Sequence, residues 1–192
     1  MKKIVFAVCF LLLSLVGFGQ NKVVLREFSN ITFYGIDFSF VKTFGAKESF
    51  RDFKSAFEGI NNLFITEMKK YDIDKYFKKH ASAISIKEVE ELNNTIEADN
   101  LFGQSPDYVI NNDELTAHVK SLPIKGEGVG LIFVAELLNK AKNRGTYHIV
   151  FFDIATKEII DSWKAGGNAG GFGLRNYWGG SVYNMLKSIK IK

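Results

Sequence analysis

The residues best placed to do chemistry lie near the end of the chain, in Ala165-Gly166-Gly167-Asn168-Ala169-Gly170-Gly171-Phe172-Gly173-Leu174-Arg175-Asn176-Tyr177-Trp178-Gly179-Gly180. Seven of these sixteen residues are glycine, and the stretch runs from a β-like segment into a helical one. A flexible loop feeding a helix N-terminus can present bare N–H groups to a phosphate or carboxylate. Arg175 would add a two-pronged anion contact, and Tyr177 or Trp178 a stacking face. Asn168, Arg175, Asn176, Tyr177 and Trp178 are therefore the candidate ligand- or partner-contacting residues. The same glycines also fit a structural role, giving positive φ and letting the loop pack closely on a sheet. A loop that orders on a partner is a third use. The phosphate-loop pattern with its Lys-Ser/Thr ending is absent, and no parallel strand–helix–strand unit surrounds the segment.

The remaining catalytic inventory is sparse. His80, His118 and His148 are far apart in sequence, and no cysteine accompanies them outside the first nineteen residues, so a closed zinc site would need folding to gather all three with a carboxylate. Gly103-Gln104-Ser105-Pro106-Asp107 lacks the last glycine of a nucleophile elbow and follows no strand. The carboxylates Asp72/Asp74 and Glu88/Glu90/Glu91 fall on expected helix surfaces or ends, where solvation explains them. Asp72-x-Asp74 lacks the glycine and closing glutamate of a calcium loop. Catalytic residues, metal and cofactor are therefore all expected to be none, and the chain is expected not to be an enzyme.

The elements that would position these residues are legible from periodicity. Ile31 to Phe44 reads as a long strand, with Tyr34, Ile36, Phe38 and Phe40 on one face and Gly35, Asp37 and Ser39 on the other. From Glu48 to about Tyr71, Phe50, Phe53, Phe57, Ile60, Phe64 and Met68 recur at steps of three and four, the stripe of an amphipathic helix. Lys87 to Ala98 places Val89, Leu92 and Ile96 on one helical face. Asn112 is the expected N-cap of a helix through Leu122, with Asp113 and Glu114 in its first turn. Three β-like segments follow, Val129–Leu138, Tyr147–Ile154 and Glu158–Lys164, joined closely enough to form an antiparallel meander. Gly166 to Gly173 is the loop, and Leu174 to Ile189 the last helix, with Trp178, Val182, Met185 and Ile189 inward. The expected class is α+β: a mostly antiparallel sheet, made of the long first strand and the late meander, with helices packed on one face.

Composition bounds the rest. The chain has 192 residues, 46% hydrophobic and 24% charged, which fits one ordinary globular domain. Met1-Lys2-Lys3, the apolar run Ile4–Leu13 and the small residues Gly17 and Gly19 make a secretory leader over residues 1–19, with a single domain over 20–192. Cys9 lies inside the apolar run rather than at its end, so neither lipid attachment nor a disulfide is expected. The run is too short for a spanning helix, and no stable membrane anchor is expected after cleavage. Without Lys2 and Lys3 the chain carries 23 basic and 21 acidic residues, +2, too balanced for a nucleic-acid binder.

From Ile31 onward, the long strand, the helix after it and the late meander resemble the small α+β domains of bacterial envelope proteins. Examples are the amino-terminal domain of the Tol translocation protein and the curli-secretion lipoprotein. Val150-Phe151-Phe152-Asp153-Ile154 and Gly171-Phe172-Gly173-Leu174-Arg175-Asn176-Tyr177-Trp178 are similar to segments of uncharacterised exported bacterial proteins. The resemblance implies an envelope assembly or binding role; with the leader and the missing catalytic constellation, the expectation is a periplasmic or extracellular, non-enzymatic module that binds an envelope protein. The alternative is a small-molecule or anion carrier with its site at residues 165–180.

Overall fold

The computed structural model describes residues 28–190, so the expected leader at 1–19 lies outside the described residues. Six strands form one sheet: β1 (Asn30–Asp37), β2 (Lys42–Phe44), β3 (His80–Ile84), β4 (Val129–Asn139), β5 (Arg144–Asp153) and β6 (Ile159–Asn168). Six helices accompany them: α1 (Phe50–Thr66), α2 (Ile73–Phe77), α3 (Lys87–Asn94), α4 (Ala98–Leu101), α5 (Asn112–Ser121) and α6 (Leu174–Ser188). The strand order is β3-β1-β4-β5-β6, with β2 also alongside β4.

The class is α+β, but the sheet is mixed, and this corrects the mostly antiparallel expectation. β1 pairs parallel with β3 and β4, and β2 pairs parallel with β4. Among the described residues only the β4–β5–β6 meander is antiparallel. Helical crossovers separate β1 from β3 and β4, and a crossover returns the chain in the same direction where a tight turn would reverse it. The helices also occupy both faces, not one. Phe53, Phe57, Ile60 and Phe64 of α1, Phe77 of α2 and Trp178, Val182 and Met185 of α6 pack against Phe33, Leu131, Phe133, Ile149 and Phe151. On the opposite face Val89 of α3 and Leu115 and Val119 of α5 cover Tyr34, Ile132, Val134, Val150 and Phe152. β4 is buried along its whole length, as a central strand covered twice must be.

The expected strand over Ile31–Phe44 is interrupted between Asp37 and Lys42 by a turn closed by the Val41 N–H on the Phe38 carbonyl at 3.0 Å, and a bulge inside β1 scrambles the expected faces. Gly35 takes φ of 87° and the register with β4 slips between Phe33 and Ile36. Tyr34 thus joins one core while Ile36 and Phe38 join the other. β3 accompanies β1 only as far as Phe33, and beyond that point buried amides close the strand's edge. Asn61 of α1 accepts from the Ile36 N–H at 2.7 Å and donates to the Ile36 carbonyl at 2.9 Å. Asn93 of α3 donates to the same carbonyl at 3.1 Å and accepts from the Phe38 N–H at 2.6 Å. A Cβ on residue 35 would lie 2.8 Å from the Asn61 Oδ1, so the glycine admits the amide as well as the bulge.

The helices start where local chemistry starts them. Ser49 and Asp52 form a capping box at α1, and Asn111 and Glu114 form one at α5, one residue before the expected cap. α1 is shorter than its apolar spacing suggests, ending at Thr66 and leaving Met68 61% exposed. β3 and α2 were not anticipated. β6 runs four residues past its expected end, drawing Gly166 and Gly167 out of the loop and into the sheet.

Candidate functional site

The segment following the meander is where strand, loop and helix meet. β6 is an edge strand, α6 lies across it, and Ala169–Gly173 connects them. Gly167 makes the close packing possible, since a Cβ there would sit 2.0 Å from the Ser181 carbonyl oxygen and 2.4 Å from the Met185 nitrogen. The α6 backbone therefore rests directly on β6. Gly173 is the N-cap of α6, with no side chain to cap the first turn.

The five candidate residues point in different directions. Trp178 is fully buried, its indole N–H has no partner among the described residues, and it offers no stacking face to solvent. Tyr177 is half-buried, its hydroxyl donates to Asn143, and the Lys140 ammonium lies 4.1 Å from its ring centroid. Arg175 is exposed, but its guanidinium donates to Asn176 Oδ1 at 2.8 and 3.1 Å, and its stem lies on Gly59 of α1. The adjoining open cleft of about 550 Å³ is lined by Glu48, Asp52 and Glu58, which favours a cationic group there over an anion. Asn176 also donates to the Phe172 carbonyl at 3.0 Å. Asn168 accepts from Arg144 through its side chain, at 3.3 Å, and from Asn184 through its carbonyl, at 2.8 Å. Arg175, Asn176 and Tyr177 thus hold the loop together on one side, and Asn168 belongs to the strand edge on the other. At the loop's tip Phe172 is 95% exposed.

Two carboxylate–histidine pairs, invisible to sequence reasoning, sit inside the fold. Asp37 at the end of β1 is fully buried and bonded to His118 of α5, whose ring lies 4.4 Å from that of Phe40. Glu136 of β4 is 2% exposed and accepts from His148 at 2.8 Å, Lys164 at 2.9 Å and the Ile110 N–H at 2.9 Å. Burial alone would push the Glu136 carboxyl up, but the hydrogen bonds from His148, Lys164 and Ile110 outweigh it and hold the pKa below the usual glutamate value. Asp37, Val134, His148 and Lys164 are successive cross-strand partners, so one row of the sheet carries one member of each pair. An imidazole oriented by a carboxylate can move a proton. Ser39 stands nearby, donating its N–H to Asp37 at 2.7 Å, but its buried hydroxyl has no hydrogen-bond partner among the described residues. The pairs fasten α5 and the segment before it to the sheet. The available signal was a lone carboxylate in each of two apolar runs, Tyr34–Phe40 and Leu131–Leu138. Among the described residues no group of three or more His, Cys, Asp or Glu could hold a metal ion, and no helix is long and apolar enough to cross a membrane.

No family model and no curated protein matches the chain. Among solved structures it is similar to the LpoB C-terminal domain from Salmonella enterica, covering 77% of this chain and 95% of that one, with 11% identity and a TM-score of 0.31. A likeness of that size carries no argument about fold or role. None of the comparisons shows the likeness to the Tol and curli-secretion domains.

Proposed function

We propose that the chain is an exported module of the bacterial cell envelope that acts by binding a protein partner rather than by catalysis. Phe172 carries this reading. An aromatic side chain 95% exposed at a loop tip forgoes the burial of its ring, and a partner's pocket would supply that burial. Burying a full phenylalanine contributes about 1.5–3 kcal/mol. The loop is also held in shape: the Asn176 amide fixes the Phe172 carbonyl, and the Gly170 N–H donates to the Tyr177 carbonyl at 3.0 Å. A preformed tip spares the partner much of the ordering entropy.

The test is a photo-crosslinking amino acid placed at position 172 in cells, with position 68, also exposed but remote in sequence, as control. A single crosslinked envelope protein at 172, absent at 68 and competed by the unmodified chain, supports the reading. A small-molecule thermal-shift hit lost in Arg175→Ala, with no crosslink at 172, would replace it with the carrier alternative.

A further inference from the structure

The outer edge of β6 has the properties of a strand-docking surface. The Ala169 N–H donates to the Asn143 carbonyl, which fixes the alternation of the antiparallel ladder. Gly167, Ala165 and Trp163 therefore point their backbone groups toward β5, while Ser162, Lys164, Gly166 and Asn168 point theirs away from it. Asn168 bears this out, because its outward carbonyl is taken by the Asn184 amide of α6. That cap closes one end of the edge. From Ser162 to Gly166 no hydrogen bond among the described residues uses the outward backbone groups. A groove of about 760 Å³ runs beside them, walled by Trp163, Asn184 and Ile189 on the α6 side.

The groove's charge is one-sided. Arg144, Lys164 and Lys190 line it, and among the described residues no carboxylate does. Lys164 is bridged to Glu136, but among the described residues no carboxylate pairs with Arg144 or Lys190. Because side chains alternate along a strand, Lys164 and Arg144 stand on one face of the β6 edge and Trp163 on the other. Edge lysines also discourage a second copy of the same strand, since like charges would meet across a two-fold.

We infer that the β6 edge takes an extended acidic peptide segment of another protein as a seventh strand, its carboxylates toward Arg144, Lys164 and Lys190 and its apolar side chains toward Trp163 and Ile189. Main-chain hydrogen bonds to Ser162, Lys164 and Gly166 supply affinity, and the two walls supply selectivity. This deepens the binding role proposed above by giving the partner a chemistry, and rests on that role only in requiring a protein partner.

The experiment is an NMR titration of the purified chain with a capped seven-residue peptide alternating Glu and Val. Its Lys–Val counterpart and a single-stranded oligodeoxynucleotide are the controls. The expected result is amide shifts and slowed hydrogen exchange confined to residues 162–168, from the Glu–Val peptide alone. Ser162→Pro removes one outward N–H at an exposed edge position where proline is tolerated, and it should leave Tm unchanged while weakening binding about tenfold. Arg144→Glu with Lys190→Glu should weaken it at least as much. Equal binding by Ser162→Pro, equal shifts from the oligonucleotide, or no shift at β6 would overturn the inference. So would a concentration-dependent dimer whose interface is β6. None of these outcomes touches the crosslink at position 172, so a failed groove and a failed binding role give different patterns.

Discussion

Removing the two asparagines that close the edge of β1 should cost more together than the sum of their separate costs. In Asn61→Ala the Ile36 N–H loses its side-chain acceptor, but the Ile36 carbonyl keeps Asn93. In Asn93→Ala the Phe38 N–H is orphaned, and the Ile36 carbonyl keeps Asn61. Each single variant thus strands one buried donor, at about 1–3 kcal/mol. The double variant strands both donors and also takes both amide donors from the Ile36 carbonyl, so the cycle should show an additional coupling of about 1–3 kcal/mol. Cavity terms enter each single variant and cancel in the cycle. The assay is urea unfolding of the four proteins at neutral pH, followed by far-UV circular dichroism and by tryptophan emission to check two-state behaviour. Additivity within about 0.5 kcal/mol would refute the shared-acceptor account, and would mean that water or a backbone shift re-satisfies the carbonyl.

Three further outcomes follow from described geometry. Gly167→Ala forces α6 off the sheet and should lower stability by about 3 kcal/mol, the upper part of the usual overpacking range; at roughly 2–4 °C per kcal/mol, a thermal melt should show a drop of about 6–12 °C. Because Glu136 is held below the ordinary glutamate value of 4.5, the unfolded chain takes up that proton first as pH falls. The stability it contributes is present above pH 4.5 and lost below it, and Glu136→Gln should be less stable at neutral pH and show a shallower acid limb in a pH series of urea melts. Acrylamide should quench Trp163, which is half-buried, and spare the fully buried Trp178, so Trp163→Phe should leave a blue-shifted, quench-resistant emission.

What the sequence made legible was local. Phe53, Phe57, Ile60 and Phe64 mark α1 because helical spacing is a property of neighbours, and the meander shows because two short turns join three apolar segments. β3 escaped because His80–Ile84 is short and half-exposed, with no alternation to betray it. The parallel pairing of β1 with β4 escaped because register between strands so far apart leaves no mark on either segment. At Gly35 the sequence misled, since an unbroken period of two in the residue types conceals a bulge that the backbone makes. The site divides in the same way. The glycine-rich run announced a tight junction, and Gly167 supplies it. Trp178, chosen for its chemistry, faces the core, as its place on the helical stripe also indicated. The pairs Asp37–His118 and Glu136–His148 are made by tertiary contact alone.

The position of β4 in the chain has a consequence for how the molecule comes to be folded. Thr32 pairs with Gly130, and Lys42 with Leu137, so the strand that organises the sheet is synthesised after both of its parallel partners, and its antiparallel partner β5 follows later still. Until residues 129–139 are available, β1 and β2 have no central partner, and α1 has only part of the surface its phenylalanines cover. The first two-thirds of the chain therefore has little reason to collapse into a stable intermediate, and structure should appear late and cooperatively, at the modest rates of folds dominated by distant contacts. For the exported module proposed above that order is an advantage, because such a chain passes a membrane before it folds. Its own topology delays folding until nearly the whole chain has emerged.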